Sequence, residues 1–408
     1  MNTLRASVII PVHNAQDHLA QCIESVMCQT MSDIEIICID DGSSDLSLRI
    51  LQEYQCEDQR IIVIEQDNRG GGAARNVGLS RAQGTYLAFL DADDYLEPSM
   101  LEKCTTLLDS TGADIAVCRS LTYDMQTGLS HEADWTYKAD RIPQKQPFSY
   151  IDMPDDIFNT FANVPWNKVF RRSFVEENNL KFQEIRRTND LFFVCSALVM
   201  AKGIVTIDEH LVHYRIGATS NCQATNDREP LGFYFAFSKL KDYLIEQDLF
   251  EKVERSFKNH ALDGLVANLS SLKSFEGFNV LYNAFYFEIE KKFGILDQAE
   301  DYYENRRQYE IYSSLSIMSK EEFLFARMCQ FREERDRAWK DCDLLHQDIY
   351  KGWHEIEAFK KLMDDACRER DAAIKECVEA KESISYKLGR KLTAPYRRLR
   401  NVFEGTKA

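Results

Sequence analysis

The first hundred residues contain four short apolar runs. Each run is followed by a polar or helix-periodic segment. The runs cover residues 7–11, 34–39, 61–64 and 85–90. After the first run, apolar residues recur in the three- and four-residue steps of a helix, at Leu19, Cys22, Ile23, Val26 and Met27. Strands that alternate with helices at this rhythm form right-handed βαβ units. The sequence therefore predicts an α/β fold with a mostly parallel sheet.

Polar residues follow each run where the predicted strand ends. These positions are His13 and Asn14, then 40–43, 68–70 and 91–94. In a parallel sheet the carboxyl ends of the strands meet at one edge, where α/β proteins bind their ligands. We therefore expect a single polar crevice built from four loops.

The fourth run ends in three acidic residues, in the stretch YLAFLDADDY. Three carboxylates at the end of a buried strand repel one another unless a cation neutralises them. Asp91 and Asp93 are thus predicted to bind a divalent metal, which would in turn hold an anion such as a diphosphate. Asp94 is expected to be a turn residue outside that site.

Two further loops carry candidate ligand-binding residues with alternative interpretations. Asp41 would accept hydrogen bonds from a uracil-like base or from ribose hydroxyls, or it would cap the next helix. We assign ligand binding to Asp41 and capping to Asp45. The glycines at 70–72 permit a close approach of backbone to ligand, ahead of a helix whose free N–H groups favour phosphate. Arg75 on that helix would reach a phosphate or sugar, or it would be an ordinary solvated residue.

Composition limits the class of protein. The chain of 408 residues is 44% hydrophobic, which allows two or three structural units. Its 12 cysteines form no CxxC pair, which favours reduced thiols in a cytoplasmic protein. No apolar run approaches the roughly 18 residues of a membrane span, and we expect no signal peptide. The net charge of −16 argues against nucleic acid as a partner.

Four motifs together resemble those of glycosyltransferase family 2. They are PVHN (11–14), IDDGSS (39–44), NRGGGAARNVG (68–78) and FLDADD (89–94). The resemblance implies a GT-A fold, which is Rossmann-like, and an inverting transfer of a sugar from a nucleoside diphosphate, expected to be UDP, with Mn²⁺ or Mg²⁺ as cofactor. By position, it assigns nucleotide-sugar binding to Pro11, His13, Asn14, Asp41, Arg75, Asp91 and Ala92, and metal binding to Asp91 and Asp93.

The resemblance also implies a general base, usually the aspartate of a Glu-Asp pair at the start of a helix. Here residues 187–190 read RTND, so that Asp190 holds the place of the base and Asn189 replaces the glutamate. The alternative for Asp190 is an acid placed at a helix N-terminus by the dipole. Trp166 would stack on a sugar or pack in the core. His213 reaches the metal in some relatives, but we expect a structural role and keep it outside the metal site.

The rest of the chain is predicted to be helical. We expect a catalytic domain over 1–220, a helical accessory region over 225–330, a coiled coil over 331–385 and a basic amphipathic tail over 386–408. The coiled coil rests on a seam of three- and four-residue steps from Cys342 to Ile384, interrupted by Gly352 and Arg370. It implies a homo-oligomer; a single helix folded back on its own protein is the alternative.

The tail carries seven Lys or Arg residues and one acid, Glu404. Its apolar residues alternate with cations through 386–403, a pattern typical of a peptide on an anionic membrane surface; a solvated end is the alternative. The leading hypothesis is therefore a transferase at the inner face of the membrane that acts on a glycan or lipid-linked acceptor. A nucleotidyltransferase would need a Gly-rich basic loop after the first strand, which PVHNAQDH lacks. A non-catalytic scaffold is favoured only by Asn189, since Asp93 and Asp190 are both present.

Overall fold

The computed structural model describes residues 4–217 and 227–382, in two compact units. The first unit ends at Phe323 and the second begins at Leu324. The first contains a nine-stranded sheet. Its strands are β1 (Ala6–Val12), β2 (Ile34–Asp41), β3 (Ile61–Gln66), β4 (Tyr86–Phe89), β5 (Tyr95–Leu96), β6 (Ile115–Asp124), β7 (Leu129–Glu132), β8 (Lys168–Arg171) and β9 (Ile204–Ile216). The predicted basic tail lies outside the described residues.

The strand order is β3-β2-β1-β4-β8-β6-β9-β5, with β7 paired to β6. The first four strands are parallel, and they are connected through α1 (Leu19–Met27), α2 (Ser47–Glu57) and α3 (Gly71–Arg81). This confirms the predicted βαβ units. The later strands add antiparallel pairs of β8 with β4 and β6, of β5 with β9 and of β7 with β6, whereas the long β6–β9 ladder is parallel.

The core lies against the faces of this sheet. Every residue of β2 is buried, and α1 buries four of the five apolar positions that its periodicity predicted, Leu19, Cys22, Ile23 and Val26, whereas Met27 is half-buried. Each buried leucine, isoleucine or valine side chain contributes about 1.5–3 kcal/mol when it leaves water. The buried layer therefore holds the strands, and the loops at their carboxyl ends, in fixed positions.

Further helices complete the first unit. They are α4 (Met100–Thr111), α5 (Ile157–Thr160), α6 (Arg172–Glu177), α7 (Asn189–Met200), α8 (Gly232–Glu246), α9 (Glu254–Ser271), α10 (Phe275–Ala284), α11 (Glu290–Phe293) and α12 (Arg306–Ile317). α9 packs on the part of the chain that precedes β8: the backbone N–H of Phe158 donates to Ser256 Oγ at 2.9 Å. The helical region predicted after the sheet is thus present and is part of the same compact unit.

The second unit consists of one long helix in its described part. This helix, α13 (Lys320–Glu382), has 63 residues and starts at the end of the first unit. Its seam residues are exposed, as at Ile349, Ile356 and Phe359. The predicted helix is confirmed, and the coiled coil stays a prediction. Among the described residues, no helix combines the length and apolarity that crossing a bilayer requires, and the cysteines recorded there are free thiols.

Candidate active site

Arg75 contacts carboxylates from two other segments of the chain. From α3, one guanidinium nitrogen donates to Asp91 Oδ1 at 2.5 Å. The other donates to Asp190 Oδ1 and to Asn189 Oδ1, both at 2.8 Å. The side chain is only 6% exposed, and its guanidinium lies 5.3 Å from the ring centre of Phe182. One cation thus joins the end of β4 to the start of α7.

The three acidic residues after β4 form a compact cluster. Oxygen atoms of Asp91, Asp93 and Asp94 lie within 4.8 Å of one another. Burial, with repulsion from Asp91, raises the pKa of Asp93 to about 6. Asp94 is fully buried; its Oδ1 accepts the backbone N–H of Arg215 at 2.9 Å, and its Oδ2 has no hydrogen-bond partner among the described residues. A crowded set of carboxylate oxygens is the donor set that Mg²⁺ and Mn²⁺ prefer, so these residues fit the predicted metal.

Arg215 holds the acidic turn from the neighbouring strand β9. Its guanidinium donates to the carbonyl oxygen of Asp93 and to Gln21 Oε1, and it lies 4.7 Å from the ring centre of Tyr95. With its backbone bond to Asp94, Arg215 contacts the last two residues of the acidic turn. The positions of these carboxylates therefore depend on a strand that lies more than a hundred residues later in the chain.

Asp41 orders the loop that precedes α3. Its Oδ1 accepts from Gln66 Nε2 at 2.6 Å and from the Arg69 N–H at 2.8 Å, while its Oδ2 accepts the Gly70 N–H at 2.8 Å. A carboxylate has about four acceptor positions, so most of the capacity of Asp41 is used within the protein. The adjacent Asp40, which sequence reasoning did not single out, has an Oδ1 without a partner in the described chain.

His13 and Asn14 are exposed beside this loop, and Pro11 precedes them half-buried in β1. His13 Nδ1 donates to the Asp41 carbonyl at 2.9 Å. Asn14 has a left-handed backbone, with φ of 50°, and its Oδ1 accepts the Ser44 N–H at 2.8 Å. The structure therefore brings the ends of β1 and β2 together. Ala92, between the two metal-ligand candidates, packs in the hydrophobic core.

Asp45 lies one residue before Leu46, the N-cap position of α2, and its carboxylate contacts the first turn of that helix. Its Oδ1 accepts the N–H of Ser47, the first residue of α2, at 2.9 Å.

The loop before α7 packs closely on the start of α3. A Cβ on Gly72 would lie 2.2 Å from the carbonyl oxygen of Gln183. Asn76 exchanges two hydrogen bonds with the backbone of Phe182, each of 2.9 Å. Arg69 forms an ion pair with Glu184 at 2.6 Å. These contacts hold the loop against α3 and so position Asp190 beside Arg75.

Thr188, directly before α7, has a φ of 56°. This left-handed conformation is strained for a β-branched residue, and such strain concentrates at functional sites. Thr188 turns the chain so that Asn189 and Asp190 both present their oxygens to Arg75.

Lys168 is a buried cation that the sequence reasoning missed as an individual residue. Its Nζ donates to the carbonyl oxygens of Ala162 and Val164 and to Asn167 Oδ1, at 2.8–2.9 Å. Burial lowers the pKa of Lys168 to about 7. A lysine within the mainly apolar stretch VPWNKVF was the signal available in the sequence.

Asp190 is influenced by both cations. Burial raises the pKa of Asp190 to about 6; Arg75 opposes this rise, the charge of Asp91 adds to it, and Lys168 opposes it. At neutral pH the carboxylate is thus ionised but more basic than a solvated aspartate, which suits a proton acceptor.

Trp166 and His213 occupy internal positions. Trp166 is 1% exposed and stacks on Tyr214, with ring centres 5.5 Å apart, so it packs in the core. His213 Nε2 lies 2.6 Å from Glu97 Oε1, and its ring stacks on Tyr95 at 4.3 Å. These contacts agree with the structural role expected for His213.

Comparison with known proteins identifies the family. Residues 7–178 match the profile described as glycosyl transferase family 2. The putative glycosyltransferase EpsH of Bacillus subtilis is 33% identical over 271 residues, which are 61% of this chain and 75% of EpsH. The chain belongs to glycosyltransferase family 2. It is an enzyme of glycosyl transfer.

One further relative in sequence and two solved structures are also similar to the chain. The poly(ribitol-phosphate) beta-glucosyltransferase of Bacillus spizizenii is 29% identical over 61% of this family 2 chain and 38% of that protein. A crystal structure of S. aureus TarS 1-349 has a TM-score of 0.58 at 18% identity, covering 77% of this chain and 87% of TarS 1-349. The same protein in complex with UDP-GlcNAc has a TM-score of 0.55 at 19% identity, covering 73% and 82% of the two chains. These structures support the predicted GT-A fold.

Proposed function

We propose that this enzyme is an inverting, metal-dependent glycosyltransferase that uses a UDP-sugar donor and Asp190 as the general base. The observation that carries the proposal is the double contact of Arg75, at 2.5 Å to Asp91 and 2.8 Å to Asp190. It brings the residues expected to bind the donor next to the residue expected to activate the acceptor.

On the donor side, the exposed loops after β1 and β2 would border the nucleotide. Pro11, His13, Asn14 and the Asp40-Asp41 pair surround this end of the crevice. The N-terminus of α3 offers free N–H groups, and Arg75 a cation, to the diphosphate. Because the structurally similar TarS was solved with UDP-GlcNAc, we take UDP as the carrier.

Asp91 and Asp93 would hold the divalent metal, next to the second carboxylate oxygen of Asp94. When bound, Mg²⁺ or Mn²⁺ would neutralise the charge that develops on the departing diphosphate.

On the acceptor side, Asp190 would take the proton of the attacking hydroxyl. The hydroxyl oxygen forms a bond to the anomeric carbon as the bond from that carbon to the diphosphate oxygen breaks, and the diphosphate leaves with the electron pair. The proton passes to the Asp190 carboxylate. Attack from the face opposite the leaving group inverts the anomeric centre.

We further propose surface polysaccharide synthesis, on a glycan or lipid-linked acceptor, as the setting. The name of one relative, a poly(ribitol-phosphate) beta-glucosyltransferase, supports a polymeric acceptor. Contact of residues 386–403 with the inner face of the membrane would bring the enzyme to a lipid-linked acceptor.

The proposal is tested by the thermal stability of the purified protein with nucleotides, because a ligand that binds only the folded state raises the melting temperature. We expect UDP to raise it in the presence of Mn²⁺ or Mg²⁺ and to have little effect with a chelator. Asp93→Asn should abolish the metal-dependent rise. Asp190→Asn should keep it and lose sugar transfer.

The exposed Glu57 on α2 provides the control, since Glu57→Gln removes one acidic charge outside the crevice. It should bind UDP and transfer sugar as the wild type does. Normal transfer by Asp190→Asn would refute the general base. A rise in melting temperature with UDP that does not require metal would refute the metal site. Stabilisation by another nucleotide, but not by UDP, would refute the UDP donor.

A further inference from the structure

The long helix α13 carries a longer apolar seam than the sequence alone indicated. The three- and four-residue steps extend back from Cys342 through Ala338, Arg335, Phe331 and Met328 to Leu324. All of these positions lie on one uninterrupted helix. Writing the repeat as heptads places Met328 at an a position and Phe331 at a d position. The seam therefore covers about eight heptads rather than six.

This seam is exposed in the single chain. The larger apolar side chains on it are 50–64% exposed. They are Met328, Phe331, Leu345, Ile349, Ile356, Phe359 and Met363. A seam of this length that faces water on a single helix is the surface that a coiled-coil partner covers.

The row beside the seam is acidic. From Glu334 onward, the g positions are Glu334, Asp341, Asp348, Glu355, Leu362, Glu369 and Glu376. In an antiparallel pair of these helices, the g row of one chain faces the g row of the other, so acids would face acids along the interface. In a parallel pair, the g row of one chain faces the e row of the other. Lys360 of one chain would then lie opposite Glu355 of the other, and His346 opposite Asp341. The charges thus favour the parallel arrangement.

The two arginines in the seam have the same neighbours. Arg335 and Arg370 are at a positions, five heptads apart, and each lies in the tripeptide Glu-Arg-Asp. In the single chain each donates to the following aspartate, Asp336 or Asp371, at 2.6–3.0 Å. In a parallel, in-register pair, the hole that receives an a residue includes the partner residue one position earlier, here a glutamate. Each arginine layer would then contain two arginines and two glutamates.

We propose that α13 pairs with α13 of a second copy of this chain as a parallel, in-register two-stranded coiled coil. Glu334 and Glu369 accept the seam arginines of the partner and set its register. Isoleucine at the central a position 349, with leucine at the preceding d position 345, matches the pattern that favours two strands. The proposal concerns assembly and does not depend on the choice of sugar donor.

The first test compares the full-length protein with charge-reversed variants by analytical ultracentrifugation. The wild type should sediment as a dimer of the 47.3 kDa chain. The double variant Glu334→Arg with Glu369→Arg places cations beside the seam arginines, and its dimer dissociation constant should rise about tenfold or more. Adding Arg335→Glu and Arg370→Glu to that variant should restore the dimer.

The matched control reverses the same number of charges on the outer face of the helix. Asp336→Arg with Asp371→Arg removes the contacts of the arginines within the chain but leaves the g row intact, so the dimer should persist. Circular dichroism of each variant shows whether α13 remains helical. Equal weakening by both pairs of substitutions would overturn the role of the g-row glutamates.

The second test determines orientation by disulfide mapping. In full-length protein with its other cysteines replaced by serine, Cys342 should cross-link to Cys342 of the second copy on mild oxidation, because equivalent a positions face each other in register. Adding Ala366→Cys, at a d position, should give a further 366-to-366 link. Predominant cross-linking of 342 to 366 would show an antiparallel pair, and a monomer or a higher oligomer would overturn the two-stranded assembly.

Discussion

At the scale of single residues, the site depends on the three side chains to which Arg75 donates hydrogen bonds. The guanidinium contacts one carboxylate from each side of the crevice and the amide oxygen of Asn189. Asparagine in place of the family's usual glutamate keeps an acceptor for Arg75 but removes one negative charge. A second acid there would repel the Asp190 carboxylate and make it more basic, so Asn189 moderates the rise in the pKa of Asp190.

The pH dependence of transfer should report this environment. A general base acts only when it is deprotonated, and burial raises the pKa of Asp190 from 3.8 to about 6. We therefore expect kcat, measured with saturating donor and metal, to be constant near pH 7–8 and to fall about tenfold per pH unit below pH 6. A rate that stays constant down to pH 4.5 would contradict the assignment. Lys168→Met removes a cation that lowers the pKa of Asp190, so the fall should begin at a higher pH.

At the scale of elements, the site depends on the packing of two segments that are distant in the sequence. The start of α3 and the loop 182–189 contact each other so closely that Gly72 leaves no room for a side chain. The loop is further held by Asn76, and Phe182 stacks on Phe193 with ring centres 4.1 Å apart. The packing of this loop against α3 therefore determines the distance between Arg75 and Asp190.

Gly72→Ala tests that contact. The added methyl group would meet a backbone carbonyl at 2.2 Å, so the loop must move. We expect a loss of about 1–3 kcal/mol of stability from overpacking. We also expect a fall of roughly 100-fold in kcat from displacement of Asp190. Chemical denaturation and steady-state kinetics measure the two effects.

Gly352→Ala, on α13, is the control for this substitution, because its added methyl group meets nothing within 4 Å. Transfer activity should be unchanged by it. Wild-type activity in Gly72→Ala would show that the α3–loop contact does not position the base.

At the scale of the whole molecule, the chain contains two units of different character. The first has a continuous core that includes residues late in its length, such as Tyr312, Leu315 and Phe323, each no more than 2% exposed. The second, in its described part, is a solvent-exposed helix. Stability of the catalytic unit should therefore reside before residue 324, and self-association after it.

Two truncations check this division. A chain that ends after residue 331 keeps the late core residues, and we expect it to retain the melting transition and the UDP response of the full protein while becoming a monomer. A chain that ends after residue 311 lacks Tyr312, Leu315 and Phe323, and it should melt at a markedly lower temperature. Differential scanning fluorimetry and ultracentrifugation make the comparison. Equal melting temperatures for the two truncations would refute the assignment of these residues to the core.

Much of the fold was predictable from local pattern. The four apolar runs correspond to β1 to β4, with boundaries that agree within two residues. Four of the five apolar positions of α1 are buried, as their spacing predicted. These features depend on side-chain periodicity, which can be read from a short stretch of sequence. The antiparallel additions of β8, β7 and β5 were not predicted, because pairing between distant strands leaves no periodic signal in either strand.

The sequence by itself determined the alternation of strands and helices, the acidic turn after β4 and the placement of polar residues at the strand ends. Only the tertiary structure decided that Arg75 reaches Asp190 across 115 positions of chain, that Asp41 mainly orders its own loop and that Lys168 lies buried near Asp190. The physical reason is the range of the interactions. Periodicity and turn chemistry act over a few residues, whereas ion pairs, burial and close packing depend on which distant segments the folded core brings into contact.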